Sequence, residues 1–303
     1  MVKKIVLDTD IGIDCDDAVA LALLLEKHVK KECELILVTT CSTRDGATET
    51  VKAICNYYNA QVDIGAMATP KLLCDDVNTY ATAVKTKFCK SVDTVDAVKL
   101  LRKKLSSLTE KVTFIAIGPL VNVRRFLESA PDEISNKSGL ELAREKIEAL
   151  YVMGGSFTEN YDILGKPKSE LFAEWNILQD IKSAQMVTEN FPNDIYFIPW
   201  EAGFEVYSNM GVGNNPVWYA MEQHAIYLGA DINGYKRDSW DPVTCLLATE
   251  NCDDYFCFSP SGKVTIDNDG VTKFISCEGK SHILLLKKQY KEIASVINSK
   301  LRS

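Results

Sequence analysis

Short, continuously apolar segments alternate along the chain with longer segments in which apolar residues recur every three or four positions. A strand at 4–9 and a helix at 17–31 form the first pair, and a strand at 34–40 and a helix at 47–59 form the second. Apolar runs of strand length between amphipathic helices are typical of β-α-β units with parallel strands. The pattern therefore predicts an α/β fold in which helices flank a mainly parallel central sheet.

The alternation continues to about residue 204 and then loosens. Further strands are predicted at 62–68, 111–118, 147–155 and 194–200, and further helices at 94–108 with Thr94 as the N-cap, 120–131 and 183–192. The remainder predicts a helix at 216–228, an antiparallel hairpin at 255–276 and a closing helix at 285–301. No linker or internal repeat interrupts this order, so we expect residues 1–303 to form a single domain.

Composition narrows the class of protein. The 303 residues carry a formal net charge of −8, and 46% of them are hydrophobic. An acidic balance argues against nucleic acid or an anionic membrane as the main partner, and no apolar run is long enough for a membrane-spanning helix. The first residues lack the apolar stretch of a signal peptide, so we expect a cytoplasmic location.

Ten cysteines are scattered along the chain without a C-x-x-C pair, and there are three histidines. Structural zinc sites usually need closely spaced pairs of such ligands, so a zinc site is not expected. In a chain without a secretory signal, we expect the cysteines to be reduced thiols.

Five aspartates lie within the segment DTDIGIDCDD, between the first strand and the first helix. In an extended strand, Asp8 and Asp10 point to the same side. Asp16 and Asp17 then lie at the start of the helix, where the helix dipole favours negative charge. One aspartate could serve as a helix cap, but a cap does not account for five like charges. Clustered carboxylates at a strand end predict an oxygen site for a hard cation, either Mg²⁺ or Ca²⁺.

Such a cation site is compatible with two chemistries. A D-x-D segment after an apolar strand suits phosphoryl transfer, and a cation that holds a water molecule suits hydrolysis. Three later segments bear on the choice, because ligands bind at the carboxyl ends of the strands in such sheets. They are AIGPLVNV, FAEWNILQD and RDSWDPVTCLLA. Taken singly, Asn122 could be a turn residue, Glu174 a solvated carboxylate and Asp241 a helix cap.

Together these segments resemble the nucleoside hydrolase family, in its inosine/uridine-preferring type. The matching stretches are DTDIGIDCDDAVAL, AIGPLVNV, YVMGGSF, AEWN and WDP, which run in family order from residue 8 to residue 242. The resemblance implies the nucleoside hydrolase fold and hydrolysis of the N-glycosidic bond of a ribonucleoside to free base and ribose. It further implies one tightly held Ca²⁺ as cofactor and assembly into a homodimer or a homotetramer.

The resemblance also implies a metal site and a catalytic base. Asp10, Asp17, Asp241 and the backbone carbonyl of Val121 would bind Ca²⁺. Asp10 would also be the general base that takes a proton from the attacking water, which the cation holds and makes easier to deprotonate.

Three further residues are implied to hold the ribose hydroxyls, namely Asp16, Glu174 and Asn176. Carboxylates beside the sugar would stabilise the positive charge of an oxocarbenium-like transition state more than the neutral substrate. The matched positions are acidic or neutral, whereas a phosphate requires a basic or amide-rich pocket. Their character therefore favours hydrolysis over phosphoryl transfer.

Three departures from the family pattern affect the polar part of the site. Ile11 replaces a proline, and two residues are inserted before Asp16, so Asp14 could take over its ribose contact. Arg44 lies where the family often has a Gly-Asn pair, and no role is transferred to it. Lys168 occupies the region of a second missing Gly-Asn pair, which leaves one contact to the ribose 5′-hydroxyl unassigned.

A fourth departure concerns the departing base. Trp240 stands where family members often have the histidine that protonates this base, and an indole N–H has no useful acidity at neutral pH. We expect Trp240, together with Trp175, to stack on the base and to favour purines that solvent protonates at N7. None of the three histidines is expected to be the catalytic acid, and Trp200 is expected to belong to the core.

The leading interpretation is a Ca²⁺-dependent hydrolase of purine ribonucleosides (adenosine, guanosine and inosine) that serves purine salvage. The first alternative is hydrolysis of uridine, another pyrimidine nucleoside or a modified riboside on the same scaffold. A non-catalytic nucleoside-binding scaffold and a Mg²⁺-dependent phosphohydrolase are the others. Retention of Asp10, Asp17 and Asp241 favours an active enzyme over a non-catalytic scaffold.

Overall fold

The computed structural model describes residues 2–67, 69–157, 172–208, 213–286 and 290–301. The strands are β1 (Lys3–Thr9), β2 (Cys33–Thr40), β3 (Asp63–Ala66), β4 (Val95–Asp96), β5 (Val112–Ala116), β6 (Ile147–Met153), β7 (Asp194–Ile198), β8 (Tyr207–Ser208), β9 (Arg237–Asp238), β10 (Phe256–Phe258), β11 (Gly262–Ile266), β12 (Thr272–Ser276) and β13 (Ser281–Leu286). The helices are α1 (Asp16–Val29), α2 (Ala47–Tyr57), α3 (Ala81–Phe88), α4 (Ala97–Ser107), α5 (Val121–Leu127), α6 (Gly139–Lys146), α7 (Trp175–Gln179), α8 (Ile181–Asn190), α9 (Trp200–Gly203), α10 (Pro216–Tyr227), α11 (Trp240–Thr249) and α12 (Tyr290–Leu301).

Most of these strands form one sheet. Its order is β12-β11-β13-β7-β6-β5-β1-β2-β3-β4, with β10 paired to β13. Neighbours from β13 to β4 are parallel, whereas β10, β11 and β12 pair in the antiparallel sense at one edge. Strands β8 and β9 form a separate antiparallel pair. The prediction of an α/β fold with a mainly parallel central sheet is confirmed.

The chain changes its direction of travel across the sheet at β1. It leaves β1 for β2, β3 and β4 on one side and later returns to the opposite side of β1 as β5. Asp8 of β1 therefore pairs with Thr39 of β2 and with Ala116 of β5. Loops that leave two neighbouring strands in opposite directions open a crevice between them, which is the usual ligand site of open α/β sheets. Here that crevice lies at the carboxyl ends of β1 and β5.

Apolar side chains cover both faces of the sheet. Along β1, Ile5 and Leu7 belong to one buried cluster and Val6 to the other, as the two-residue period of a strand requires. The first cluster includes apolar residues of α1, α10 and α11, and the second includes those of α4, α5 and α8. Helices therefore enclose the sheet and remove its strands from water.

The start of α4 differs from the sequence prediction. This helix begins at Ala97, because Asp96 and not Thr94 is its N-cap. The Asp96 side chain accepts hydrogen bonds from two backbone N–H groups in the first turn. Both aspartate and threonine are good capping residues, so the sequence alone did not separate the two positions.

The end of the chain also differs. The predicted helix at 285–301 begins later, at Tyr290, because Ser281–Leu286 forms β13 and pairs with β7. A short apolar run reads the same in a buried strand and in a buried helix, and here pairing with a neighbour decides for the strand. Strands β11 and β12 form the predicted hairpin, whereas β10 pairs with β13 instead.

Within the described ranges, no helix combines the length and the apolar character needed to cross a lipid bilayer. The ten cysteines carry free thiols, and most of them are buried. Buried thiols of this kind pack as small apolar side chains.

Asn122, in the first turn of α5, connects three elements at the carboxyl end of β1. Its fully buried side-chain amide donates to Asp8 Oδ1 at 2.9 Å and to the backbone carbonyl of Thr40 at 3.0 Å. Burial raises the pKa of Asp8 to about 7, although hydrogen bonds from Thr39 and Asn122 oppose the shift. Asn122 is therefore a buried clamp between strands and not the turn residue that we considered.

Replacing Asn122 with Ala is expected to lower the free energy of unfolding by about 2–3 kcal/mol, because buried acceptors on Asp8 and Thr40 would lose their donor. Chemical denaturation followed by circular dichroism measures this change. Asn190→Ala is the matched control, since the Asn190 amide also donates to a backbone carbonyl but lies on an exposed helix end. The control should change stability by less than about 0.5 kcal/mol. Equal losses in the two variants would contradict the clamp.

Candidate active site

A cavity of about 330 Å³ opens at the carboxyl edge of the sheet, where Asp10 follows β1, Ile117 follows β5 and Met153 ends β6. Nine of the ten residues predicted for the site line this cavity: Asp10, Asp14, Asp16, Asp17, Glu174, Trp175, Asn176, Trp240 and Asp241. They come from segments that are far apart in sequence. The topological switch at β1 therefore brings the predicted residues to one place.

Three carboxylates form the most compact acidic group in the cavity. One oxygen each of Asp16, Asp17 and Asp241 lies within 4.8 Å of the others. Asp16 and Asp17 are in the first turn of α1, and Asp241 is in the first turn of α11. The backbone N–H of Asp241 donates to Asp16 Oδ2 at 3.1 Å, and the Thr9 hydroxyl donates to Asp17. Two helix N-termini thus face the group, and their dipoles favour its negative charge.

Asp10 lies beside this acidic group and against the turn that follows β5. A Cβ atom on Gly118 would come within 2.7 Å of Asp10 Oδ1 and within 2.7 Å of the Cys41 sulfur. No larger residue fits there without displacing the carboxylate. The glycine of the segment AIGPLVNV is therefore needed for the position of Asp10.

Burial and mutual repulsion govern the protonation of these groups. Burial raises the pKa of Asp10 to about 6, although the positive charge of Arg44 opposes the shift. The pKa values of Asp16, Asp17 and Asp241 lie well above the usual range, first because the groups are buried and then because other carboxylates surround them. Protons or a cation must neutralise such a cluster. Converging carboxylate oxygens are the donors that a hard divalent cation prefers.

Glu174 caps α7 and is only 2% exposed, so the interpretation of this residue as a solvated carboxylate is wrong. Its carboxylate accepts hydrogen bonds from the backbone N–H groups of Gly155, Asn176 and Ile177 at 3.0–3.2 Å. Burial raises the pKa of Glu174 to about 7 against the effect of these bonds. The Asn176 side-chain amide donates to the Met153 carbonyl at 3.2 Å. Both side chains are thus held in fixed orientations.

Arg237, which the sequence interpretation did not assign to the site, lines the cavity and binds Asp14. Its Nε donates to the two oxygens of Asp14 at 2.8 and 3.0 Å, and its Nη2 donates to one of them. Burial alone would raise the pKa of Asp14, but the hydrogen bonds and the charge of Arg237 lower it overall. The available signal in the sequence was the extra aspartate of the insertion, because a partly buried carboxylate needs a cationic partner.

Arg44 is buried next to the aspartate loop and holds it through backbone groups. Its Nη1 donates to the carbonyl of Asp10, its Nε to that of Val77 at 2.6 Å and its Nη2 to that of Cys74 at 3.2 Å. Gly12 has a φ of +125°, and a Cβ atom there would meet the Arg44 side chain at 2.8 Å. Arg44 therefore positions the chain segment that carries Asp10.

Aromatic side chains complete the cavity wall. Trp175 is 50% exposed at its rim, and the Trp240 indole N–H donates to the backbone carbonyl of Trp200 at 2.8 Å. Trp200 itself lines the cavity and stacks on Phe204 with ring centroids 4.5 Å apart. The expectation that Trp200 belongs to the core alone is wrong, since alternation along the chain does not show which side chains face a crevice.

One histidine, His224 of α10, lines the cavity and is buried. Its Nδ1 lies 2.9 Å from the Tyr235 hydroxyl. Burial lowers the pKa of His224 below its usual value, although the Asp14 carboxylate opposes this effect. The neutral imidazole is therefore the main form at neutral pH, and the prediction that no histidine is the catalytic acid stays a prediction.

Three residues singled out in the sequence lie elsewhere. Val121 begins α5 and is buried in a small cluster with Cys41, Met67, Leu72 and Cys74 instead of the cavity wall. Its carbonyl stays a predicted ligand. Asp8 contacts Thr39 and Asn122 and does not line the cavity. Lys168 lies outside the described residues.

Comparisons with known proteins agree with these motifs. The family model described as inosine-uridine preferring nucleoside hydrolase matches residues 5–272. An uncharacterized protein of Schizosaccharomyces pombe is 27% identical over 217 residues, which cover 65% of this chain and 59% of that protein. The non-specific ribonucleoside hydrolase RihC of Klebsiella pneumoniae is 28% identical over 195 residues, which cover 60% and 57%. The matched part therefore spans less than two thirds of the length of these relatives.

Solved structures share the fold at lower identity. A plant nucleoside hydrolase, PpNRh1, superposes with a TM-score of 0.72 and 19% identity, and the match covers 100% of both chains. A purine-preferring ribonucleoside hydrolase from Gardnerella vaginalis gives a TM-score of 0.68 and 14% identity over 99% of this chain and 98% of the other. At such identities the likeness supports the fold alone. The family match over residues 5–272 shows that the chain belongs to the inosine-uridine preferring nucleoside hydrolase family.

Proposed function

We propose that the protein hydrolyses the N-glycosidic bond of ribonucleosides and releases free base and ribose. The observation that carries this proposal is the cavity at the switch point, where nine residues of the matching motifs meet. Membership of the nucleoside hydrolase family supports the same reaction. The acidic wall argues against a phosphorylated substrate, because six carboxylates and a single arginine line the described part of the cavity.

The donor set suits a divalent cation, and we assign it to Ca²⁺. Asp10, Asp17, Asp241 and the backbone carbonyl of Val121 would hold the cation. Asp17 and Asp241 share the acidic group with Asp16, and Asp10 lines the same cavity. When bound, the cation would lower the pKa of a water molecule and neutralise the cluster. Two features support this arrangement: helix dipoles favour the negative charge of the group, and a hydrogen bond from Arg44 to the backbone carbonyl of Asp10 positions this residue.

Asp10 is the proposed general base. Its carboxylate takes a proton from water as the water oxygen bonds to C1′ of the ribose and the bond from C1′ to the base nitrogen breaks. The sugar gains positive charge in this transition state, and the surrounding carboxylates stabilise that charge more than they stabilise the neutral substrate. Burial raises the pKa of Asp10 to about 6 in the metal-free protein, and a bound cation would keep this carboxylate ionised and able to accept a proton.

Asp16, Glu174 and Asn176 are the proposed ligands of the ribose hydroxyls. Glu174 and Asn176 are held by hydrogen bonds from and to the backbone, so they need little reordering to bind a sugar. The pairing of Asp14 with Arg237 supports Asp16 over Asp14 as the third ligand, because it leaves fewer lone pairs on Asp14.

Purine nucleosides, in particular adenosine, guanosine and inosine, are the proposed substrates, and purine salvage is the proposed role. Trp175 and Trp240 offer large flat surfaces at the cavity wall, and a purine covers more of such a surface than a pyrimidine does. The indole of Trp240 is fixed by its hydrogen bond to Trp200. Assembly into a homodimer or a homotetramer stays a prediction from the family.

The reaction is tested by incubating the purified protein with five nucleosides, adenosine, guanosine, inosine, uridine and cytidine, with and without chelator. Chelator-sensitive release of free base is expected, with purines ahead. Asp10→Asn should lower kcat by about 10²–10⁴-fold, because the general base is lost. Asp63→Asn is the control, since Asp63 pairs with Lys104 on the surface. Uridine as the best substrate would overturn the stacking account, and no base from any nucleoside would overturn the proposed reaction.

Protein freed of metal by chelation is expected to be more stable at about pH 5 than at about pH 7.5, by about 3 kcal/mol. The folded-state pKa values of Asp10 and Glu174 are about 6 and about 7, above their values in the unfolded chain. The stability contributed by such groups is present at low pH and is lost as the pH rises through these values. Ca²⁺ should reverse the order, because it stabilises the ionised cluster. Thermal unfolding at both pH values measures this, and an order that Ca²⁺ leaves unchanged would contradict it.

A further inference from the structure

The chemistry of the departing base leaves one requirement without an assigned residue. As the glycosidic bond breaks, its electron pair passes to the base nitrogen, and a donor or a positive charge beside the base lowers the energy of that state. Trp240 stands at the position of the family's histidine, and its indole N–H is already bonded to the Trp200 carbonyl. A protein group that acts on the departing base must therefore be a residue other than Trp240.

Arg237 meets this requirement, because it is positively charged and lines the cavity. Of the described residues that line the cavity, it is the only lysine or arginine. Its guanidinium carbon lies 5.0 Å from the ring centroid of Trp240, in the wall of the cavity in which the base is proposed to bind. A guanidinium keeps its positive charge at every pH at which the protein is folded.

The Asp14 carboxylate fixes the guanidinium through Nε and Nη2, which both donate to it. Nη1 forms an ion pair with Asp238 Oδ2 at 3.6 Å, a distance longer than a hydrogen bond. Nη1 carries two N–H donors, and neither makes a hydrogen bond to the described residues. Asp14 belongs to the segment with two extra residues before the Asp16-Asp17 pair, which departs from the family pattern.

His224 is the competing candidate, because it lines the same cavity. Its Nδ1 is engaged by the Tyr235 hydroxyl. The charge of Asp14 raises the pKa of His224, and the charge of Arg237 lowers it. Burial lowers this pKa further and favours the neutral imidazole. A neutral imidazole gives a departing anion less stabilisation than a fixed cation does.

We propose that Arg237 stabilises the departing base in the hydrolysis proposed above, through hydrogen bonds from Nη1 to a ring nitrogen or an exocyclic oxygen of the base. The water oxygen bonds to C1′, the bond from C1′ to the base nitrogen breaks, and its electron pair stays on the base. Asp10 takes the proton of the water and returns it to solvent, and the base takes a proton from solvent. Arg237 neither gains nor loses a proton, and Asp14 acts as a positioning residue.

The test compares two substrates with the same ribose and different leaving groups. One is inosine, and the other is 4-nitrophenyl β-D-ribofuranoside, whose nitrophenolate is stable without a hydrogen-bond donor. Arg237→Gln should lower kcat for inosine by about 100-fold or more and kcat for the nitrophenyl riboside by less than about 3-fold. Asp14→Asn should show the same selective loss in a milder form, because it loosens the guanidinium without removing it. Arg124→Gln, which removes a surface pair with Glu128, should leave both rates unchanged.

Each other outcome has a definite meaning. Equal losses on both substrates in Arg237→Gln, with an unchanged unfolding temperature, would mean a structural role and would overturn the proposal. No loss on inosine would overturn it as well. If the unaltered protein cleaves neither substrate, the proposed function itself fails. If the unaltered protein cleaves both substrates and Arg237→Gln has no selective effect on inosine, the proposed function stands and this inference is overturned.

Discussion

The repulsion among Asp10, Asp16, Asp17 and Asp241 is the constraint on which the rest of the structure depends. Each carboxylate is at most 6% exposed, so water screens their charges poorly. Several features of the fold reduce this repulsion. The N-termini of α1 and α11 direct partial positive charge at the group, and the guanidinium of Arg44 binds the backbone of Asp10. Protons or a divalent cation must neutralise the negative charge that remains. The stability of the site therefore depends on the same cation that is proposed to act in the reaction.

The same constraint explains the second half of the cavity. Asp14 adds a further negative charge at the site, and Arg237 neutralises it with a two-pronged ion pair. The same ion pair holds the guanidinium carbon 5.0 Å from the ring centroid of Trp240. In the proposed reaction, the carboxylates suit a sugar that becomes positive, and the N–H donors of Arg237 suit a base that becomes negative. The insertion near α1 thus supplies the extra acid, and Arg237 of β9 supplies its cation.

Local patterns in the sequence predicted most of the fold and most of the polar site. The strands that precede Asp10 and Gly118 are short apolar runs, and the carboxyl ends of parallel strands meet at one edge, so these residues were expected to converge. Contacts between distant segments were not readable. The pairing of Arg237 with Asp14, across 223 positions, and the strand character of Ser281–Leu286 both depend on partners that only the folded chain supplies.

The central claim is that a divalent cation holds these buried carboxylates together. Isothermal titration of chelator-treated protein with Ca²⁺, and separately with Mg²⁺, tests it most directly. The account predicts one Ca²⁺ site per chain, release of protons on binding at neutral pH, weaker binding of Mg²⁺, and loss of the site in Asp241→Asn. Absence of binding by either cation, or unchanged Ca²⁺ binding in Asp241→Asn, would contradict the account.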